Sequence, residues 1–250
     1  MNACIDWIAA HPLLMFLAVP GMAGLCASWL GRRLARRAHP CAGWLCWGLA
    51  AGAAAVFLAL AAAMSLPAGV VDLDNALASQ LSLSMPPSLL WLLSWFTYLG
   101  DRDLLTVIAI GMTVALLWRR QWALALTCAI ATGGAGLLNL GFKHLFQRVR
   151  PEHGHGYATA DGWSFPSGHA SAAMAVYGFA CYLALRALPP RWQAPCLAGA
   201  AALIVAIGVS RVLLQVHYFS DVAAGFALGL AWLALCLAGA ERKRALRRGA

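Results

Sequence analysis

The sequence predicts an all-α integral membrane protein, a helical bundle of six to seven transmembrane helices with one or two interfacial helices. Three observations carry this. Over 250 residues, 62% of side chains are hydrophobic and 11% charged, and the mean hydropathy is +0.73, a composition of polytopic membrane chains rather than soluble ones. Seven apolar runs approach the ~20 residues that a spanning helix needs. The charged residues fall between those runs. That placement also argues against a nucleic-acid surface despite a net charge of +9, because such a surface needs its cations clustered on one soluble face.

In chain order, Met1 to His11 contains no Lys or Arg, so it lacks the basic region of a cleavable signal and is expected to stay in the protein. The runs Pro12 to Leu30, with a possible kink at Pro20, and Cys41 to Leu66 are the first two candidate spans. Val70, Leu73, Leu77 and Leu81 then recur at helical spacing among Asp72, Asp74, Asn75, Ser79 and Gln80, the pattern of a helix lying on a membrane surface. Pro86-Pro87 ends it. Leu89 to Leu99 reads as a second interfacial helix, with Trp91, Trp95 and Tyr98 at headgroup level. Asp101-Arg102-Asp103 interrupts the long run from Leu90 to Trp118, leaving Leu104 to Trp118 as the core of the third span. The remaining candidates are Trp122 to Phe142, Pro166 to Leu185, Pro195 to Leu214 and Val222 to Ala240.

The expected organisation is one domain over 1–250: two N-terminal spans in 1–66, outer interfacial helices in 67–100, core spans in 101–240 and a basic cytoplasmic tail in 241–250. Eight scattered cysteines, without C-x-x-C spacing, read as small membrane-core residues. No repeat of 20 to 50 residues is visible. Gly133, Gly134, Gly136 and Asn139 suit close helix packing.

Basic residues in the short loops orient the bundle. With seven spans and a cytoplasmic C-terminus, thirteen of the eighteen Lys and Arg fall on the cytoplasmic side, including Arg32, Arg33, Arg36, Arg37, Arg119, Arg120, Arg186 and Arg191. Only Arg102, Lys143, Arg148, Arg150 and Arg211 lie outside. Three of these five belong to two junctions that carry chemistry. Lys143, Arg150 and Arg211 bring three cations to one membrane face, where burial without an anion is costly, and phosphate is the natural partner. Pro166-Ser167-Gly168-His169 opens a helix whose free amides and dipole favour an anion, with His169 one turn inside. His217 and Asp221 are four residues apart, so on a helical turn the carboxylate can hold one imidazole nitrogen and leave the other free to attack.

Together Lys143-x6-Arg150-Pro151, Pro166-Ser167-Gly168-His169 and Ser210-Arg211-x5-His217-x3-Asp221 resemble the three-part signature of the type 2 phosphatidic acid phosphatase superfamily, which includes vanadium haloperoxidases. The resemblance implies a metal-independent lipid phosphatase with no cofactor. In its terms His217 forms a phosphohistidine, Asp221 orients it, His169 protonates the leaving oxygen, and Lys143, Arg150, Arg211, Ser167 and the Gly168 amide hold the phosphate. It also implies vanadate sensitivity and six spans in many bacterial members, with Pro12 to Leu30 as an addition.

The expected substrate is a membrane lipid phosphate met at the outer, periplasmic face of a bacterial inner membrane, first an isoprenoid (undecaprenyl) diphosphate. Phosphatidic acid, phosphatidylglycerol phosphate and lipid A phosphates are alternatives, as is phosphoryl transfer between lipids. A lipid or anion transporter, using the cations for binding alone, is the reading from another class. No nucleic acid and no obligate protein partner is inferred. A zinc site at His153 and His155, near Glu152 and Asp161, is set against a loop at the lipid headgroups beside Tyr157 and Trp163; the loop is preferred, and no metal is expected.

Overall fold

A computed structural model describes residues 3–36, 42–64, 66, 69–152 and 155–249. Among the described residues ten α-helices follow in order: α1 (Ala3–Ala10), α2 (Pro12–Arg36), α3 (Ala42–Ala63), α4 (Val70–Ser84), α5 (Pro87–Phe96), α6 (Arg102–Trp118), α7 (Trp122–Phe146), α8 (Gly168–Ala187), α9 (Pro190–Leu213) and α10 (Phe219–Gly249), with a 3-10 turn at Thr97–Gly100. Among the described residues there is no strand. Cys41, Arg37 and His153 lie outside the described residues, so the readings that involve them stay at the level of sequence.

Among the described residues six helices (α2, α3, α7, α8, α9 and α10) are long and apolar enough to cross a membrane. The added N-terminal run is among them, since α2 packs along α9. The short member is α6, with 17 residues, about 25 Å at 1.5 Å per residue against a hydrocarbon layer of about 30 Å. Its limits are local. The Asp101 side chain caps its start by accepting from the Asp103 amide at 2.9 Å, and Arg120 leaves the helix at φ 56°. It still runs between the same two ends as its neighbours, from the groove beside Lys143 to a cleft that Arg119 shares with Arg186.

The centre of the bundle is α8, which packs on α6, α7, α9 and α10. Its buried positions are mostly small: Ala170, Ser171, Ala173 and Ala175, with Val176 and Phe179 below them. Small residues answer them from α10. A Cβ on Gly225 would lie 2.6 Å from the Ser167 carbonyl oxygen, and one on Gly229 would lie 2.7 Å from that of Ser171. Close backbone approach replaces the hydrophobic driving force that lipid does not supply between helices. Outward positions such as Leu25 and Leu137 are large, apolar and exposed, as lipid contact requires.

Helix α10 continues through the basic segment to Gly249, so the expected tail is a helical extension. Near that end, Tyr182 donates to Glu241 at 2.6 Å and Arg186 pairs with the same carboxylate. At the other end, α4 packs on α1 and α10 and α5 on α9, the two separated at Met85-Pro86 as the prolines predict. In α4, Leu77 and Leu81 pack inward as expected, and Leu73 is the position that differs. Leu73 is 51% exposed while Asp74 is 4% exposed, because Arg148 and Ser220 supply Asp74 with buried polar partners. Of the four expected packing residues in α7, Gly134 receives Trp232, but a Cβ on Gly133 or Gly136 would meet nothing. Those two open onto a groove instead.

Candidate active site

Four helix ends converge beneath α4 and α5: the last turns of α7 and α9 and the first turns of α8 and α10. Between α7 and α8 the described residues are 147–152 and 155–167. The chain leaves α7 through Gln147, a left-handed C-cap whose amide donates to the Lys143 carbonyl at 3.0 Å. It returns as the Ser164 amide donates to the Arg148 carbonyl at 2.7 Å. Arg150 stitches this loop to the next one, donating to the carbonyls of Gly162 at 2.9 Å, Asp161 at 3.0 Å and Val216 at 2.6 Å. Lys143 donates to the Trp163 carbonyl.

The first turn of α8 departs from the sequence reading in its detail. Pro166 precedes the helix rather than entering it, and Ser167, at the N-cap, makes no side-chain cap bond. Pro166 is held by Asn139, whose amide donates to its carbonyl at 3.2 Å. The first helical bond runs from the Ser171 amide to the Ser167 carbonyl, so the amides of Gly168, His169 and Ala170 come before the ladder. The Ser167 hydroxyl is buried without a hydrogen-bond partner, and so is Nε of Arg211. Buried polar atoms are normally satisfied. These two belong to residues expected to grip phosphate.

His217 and Asp221 also meet differently from expectation. His217 lies in the turn between α9 and α10, not on a helix, and Asp221 sits in the first turn of α10. The carboxylate accepts from the Tyr218 amide at 2.9 Å, as a residue in a helix's first turn does when it caps. His217 Nδ1 is 3.5 Å from Asp221 Oδ2, long for a direct bond. Ser164 fills the gap, with Oγ 2.5 Å from that Oδ2 and 3.3 Å from Nδ1. The other imidazole nitrogen, Nε2, is 3.1 Å from Nη1 of Arg150. Burial pushes the His217 imidazole down to about 3; the bond and charge of Asp221 oppose this, and Arg150 and Arg211 add to it. The ring is neutral at ordinary pH. Burial likewise lowers the Arg150 guanidinium from its usual value, against the pull of Asp221 and Asp161.

Arg211, 2% exposed, donates from Nη1 to Thr97 Oγ1 at 2.9 Å. His169 stands beside Gly100, where a Cβ would come within 3.1 Å of the ring's Cδ2. Lys143, Arg150, Gly168, His169, Arg211 and His217 all line one groove of about 760 Å³. Ser167 and Asp221 adjoin these residues without being part of the lining. From this charged end the groove descends between α6 and α7 along Leu105, Ile110, Val114, Leu137 and Leu140. A polar head with an apolar tail running into the bilayer fits that shape.

Arg148, Ser164, Asp74 and Thr97 were not singled out from sequence as site residues. Arg148 and Ser164 were within reach, since both lie inside the stretch bounded by Lys143 and His169. Asp74 and Thr97 lie about seventy and about forty-five residues before it and carry no local signal. Among the described residues no group of three His, Cys, Asp or Glu side chains converges to hold a metal.

Comparison with known proteins gives the same picture from outside. A family profile described as PAP2 superfamily matches residues 122–245, from α7 into α10. Phosphatidylglycerophosphatase B of Bacillus subtilis is 34% identical over 182 residues, covering 70% of this chain and 86% of that protein. A decaprenylphosphoryl-5-phosphoribose phosphatase of Mycobacterium tuberculosis is 34% identical over 137 residues, covering 52% of this chain and 68% of that protein. The crystal structure of the first transmembrane PAP2 type phosphatidylglycerolphosphate phosphatase from Bacillus subtilis superposes with a TM-score of 0.69 at 31% identity, covering 78% of this chain and 96% of that one.

Proposed function

The chain belongs to the PAP2 superfamily and is a membrane lipid phosphatase of that type, and from that premise we propose that it removes a terminal phosphate from a lipid carrier through a phosphohistidine at His217. The observation that supports this most is the pairing around His217. A guanidinium only donates, so Arg150 beside Nε2 finds a lone pair there, and the ring proton lies on Nδ1 toward Ser164 and Asp221. In the reaction Nε2 attacks phosphorus, the bond from phosphorus to the lipid-side oxygen breaks, and His169 gives that oxygen a proton. Water then attacks the phosphohistidine with His169 taking its proton, and inorganic phosphate leaves. Lys143, Arg150, Arg211, the Ser167 hydroxyl and the Gly168 amide hold the phosphoryl oxygens as charge shifts among them. No step in this scheme calls on a metal.

Charge at the rim bears on the substrate. Arg102 joins Lys143, Arg150 and Arg211 in the groove lining, with Asp101 and Asp161 offsetting part of their charge. Our first choice is an isoprenoid diphosphate such as an undecaprenyl carrier. A second reading, phosphatidylglycerophosphate, is favoured by the name of the relative from Bacillus subtilis. In both, a second phosphoryl group lies between the reacting one and the apolar chains. Phosphatidic acid lacks it. The site is proposed to face the periplasm, because the opposite end of the bundle carries most of the arginines.

The test is phosphate release by the purified protein in detergent, with a chelator present, from an isoprenyl diphosphate, phosphatidylglycerophosphate, phosphatidic acid and a lipid A 1-phosphate. Release from the first two, well above phosphatidic acid, is expected. Turnover only after a metal is restored would refute the metal-free scheme, and release that needs an added lipid acceptor would make the protein a phosphotransferase.

A further inference from the structure

Behind the groove lies a buried charge cluster that meets the proposed reaction only through Asp221. Arg148, with its side chain 10% exposed, donates from Nη1 to Asp221 Oδ1 at 2.7 Å and from Nη2 to Asp74 Oδ2 at 2.8 Å. The same guanidinium reaches Ser220 Oγ at 2.7 Å and lies 4.1 Å from the centre of the Tyr218 ring. Asp74 in turn accepts from the Ser220 amide at 3.1 Å and from its hydroxyl. One guanidinium therefore bridges two carboxylates, one from the surface helix α4 and one from the first turn of α10. Asp74, Arg148 and Ser220 are absent from the groove wall, and α4 lies outside the residues that the family profile matches.

We infer that Asp74 is a positioning residue for phosphoryl transfer, acting through Arg148 to keep the charge of Asp221 available to His217. The inference rests on the reading of His217 as the nucleophile. When Nε2 bonds to phosphorus the imidazole ring becomes positive, and Asp221 is the carboxylate that stabilises it. A buried arginine paired with Asp221 alone would neutralise that carboxylate at short range, where charges are weakly screened. Asp74 takes the second half of the guanidinium. The three groups then carry one net negative charge, as a lone Asp221 would, while Oδ1 is pinned by Arg148 and Oδ2 by the Tyr218 amide and Ser164. The carboxylate on α4 thus serves the reaction without meeting the substrate.

Two variants separate this from a simple structural clamp. Asp74→Asn keeps the shape and an acceptor for Ser220 but leaves Arg148 to Asp221; kcat is expected to fall about tenfold or more with KM within about threefold. The double variant Asp74→Asn/Arg148→Gln removes both charges and leaves Asp221 held at Oδ2, so kcat should recover to within about threefold of the unaltered protein. A clamp predicts the reverse, with the double variant no better than the single. Melting in detergent is followed for each variant, and should Asp74→Asn fail to fold, the double variant alone decides: folded and active supports charge sharing, while folded but inactive, or unfolded, overturns it. An unchanged kcat in a folded Asp74→Asn also overturns it. His217→Ala is run alongside, because turnover retained there overturns the nucleophile assignment, whereas a dead His217→Ala beside a normal Asp74→Asn removes only this inference.

Discussion

Arg150 Nη1 lies 3.1 Å from His217 Nε2, so the proposed nucleophile's lone pair faces a phosphate-gripping cation before any substrate arrives. The same arginine is bonded to four backbone carbonyls across two loops. Attack geometry and loop structure therefore share one side chain.

Replacing His217 with alanine is expected to reduce phosphate release by about 10³-fold or more while inorganic phosphate and vanadate still protect the protein against heat. A transporter that used the cations only for binding would keep most of its function in this variant. Release assays and melting in detergent with each anion separate the two.

Ser164→Ala removes the hydroxyl that spans the 3.5 Å gap between Nδ1 and Asp221 Oδ2. We expect kcat to drop about tenfold with little change in KM, and stability to fall by about 1 kcal/mol for a buried hydrogen bond. An unaltered kcat would mean that His217 and Asp221 need no intermediary.

Acid should destabilise the fold through His217. Its pKa is pushed down to about 3 in the folded protein, against roughly 6.5 in an unfolded chain, so between these values the unfolded state binds the extra proton. The stability contribution is full above pH ~6.5 and is lost as pH falls toward 3. Melting temperatures at pH 7 and pH 5 should differ less in His217→Gln than in the unaltered protein; equal differences would show that the imidazole titrates normally.

Arg102→Gln should raise KM about three- to tenfold for an isoprenyl diphosphate or phosphatidylglycerophosphate and leave phosphatidic acid nearly unaffected. The residue sits at the rim, so the effect should shrink as salt screens it. A uniform loss across all three lipids would assign Arg102 to the reacting phosphate instead.

Single cysteines at Asp161 and Arg242, in a cysteine-free background, should react with an impermeant reagent from opposite sides of intact cells. Asp161 should label from outside. Labelling of Arg242→Cys from outside would invert the proposed orientation.

Much of this molecule was legible from local patterns because the bilayer simplifies the problem. Long apolar runs must become helices, since backbone amides have no other partner in lipid, and the runs around Trp122 to Phe142 and Pro195 to Leu214 did so with their ends moved by only a few residues. The short α1 carried no such signal, and in α4 Leu77 and Leu81 pack inward as expected while Leu73 does not. Its periodicity pointed Leu73 inward, but a buried Asp74 with two polar partners outweighed one leucine that lipid solvates equally well.

From the sequence alone came the membrane bundle, the interfacial pair and the eight proposed site residues, because each motif is a short spacing that survives folding as a local geometry. Only the tertiary structure decided what those residues face. It placed Ser164 between His217 and Asp221, left Arg211 Nε and Ser167 Oγ without partners, and brought Asp74 to Arg148 across 74 positions of chain. Such partners follow from helix packing, where two residues meet because backbones approach closely at Gly225 and Gly229. No spacing along the chain encodes that approach.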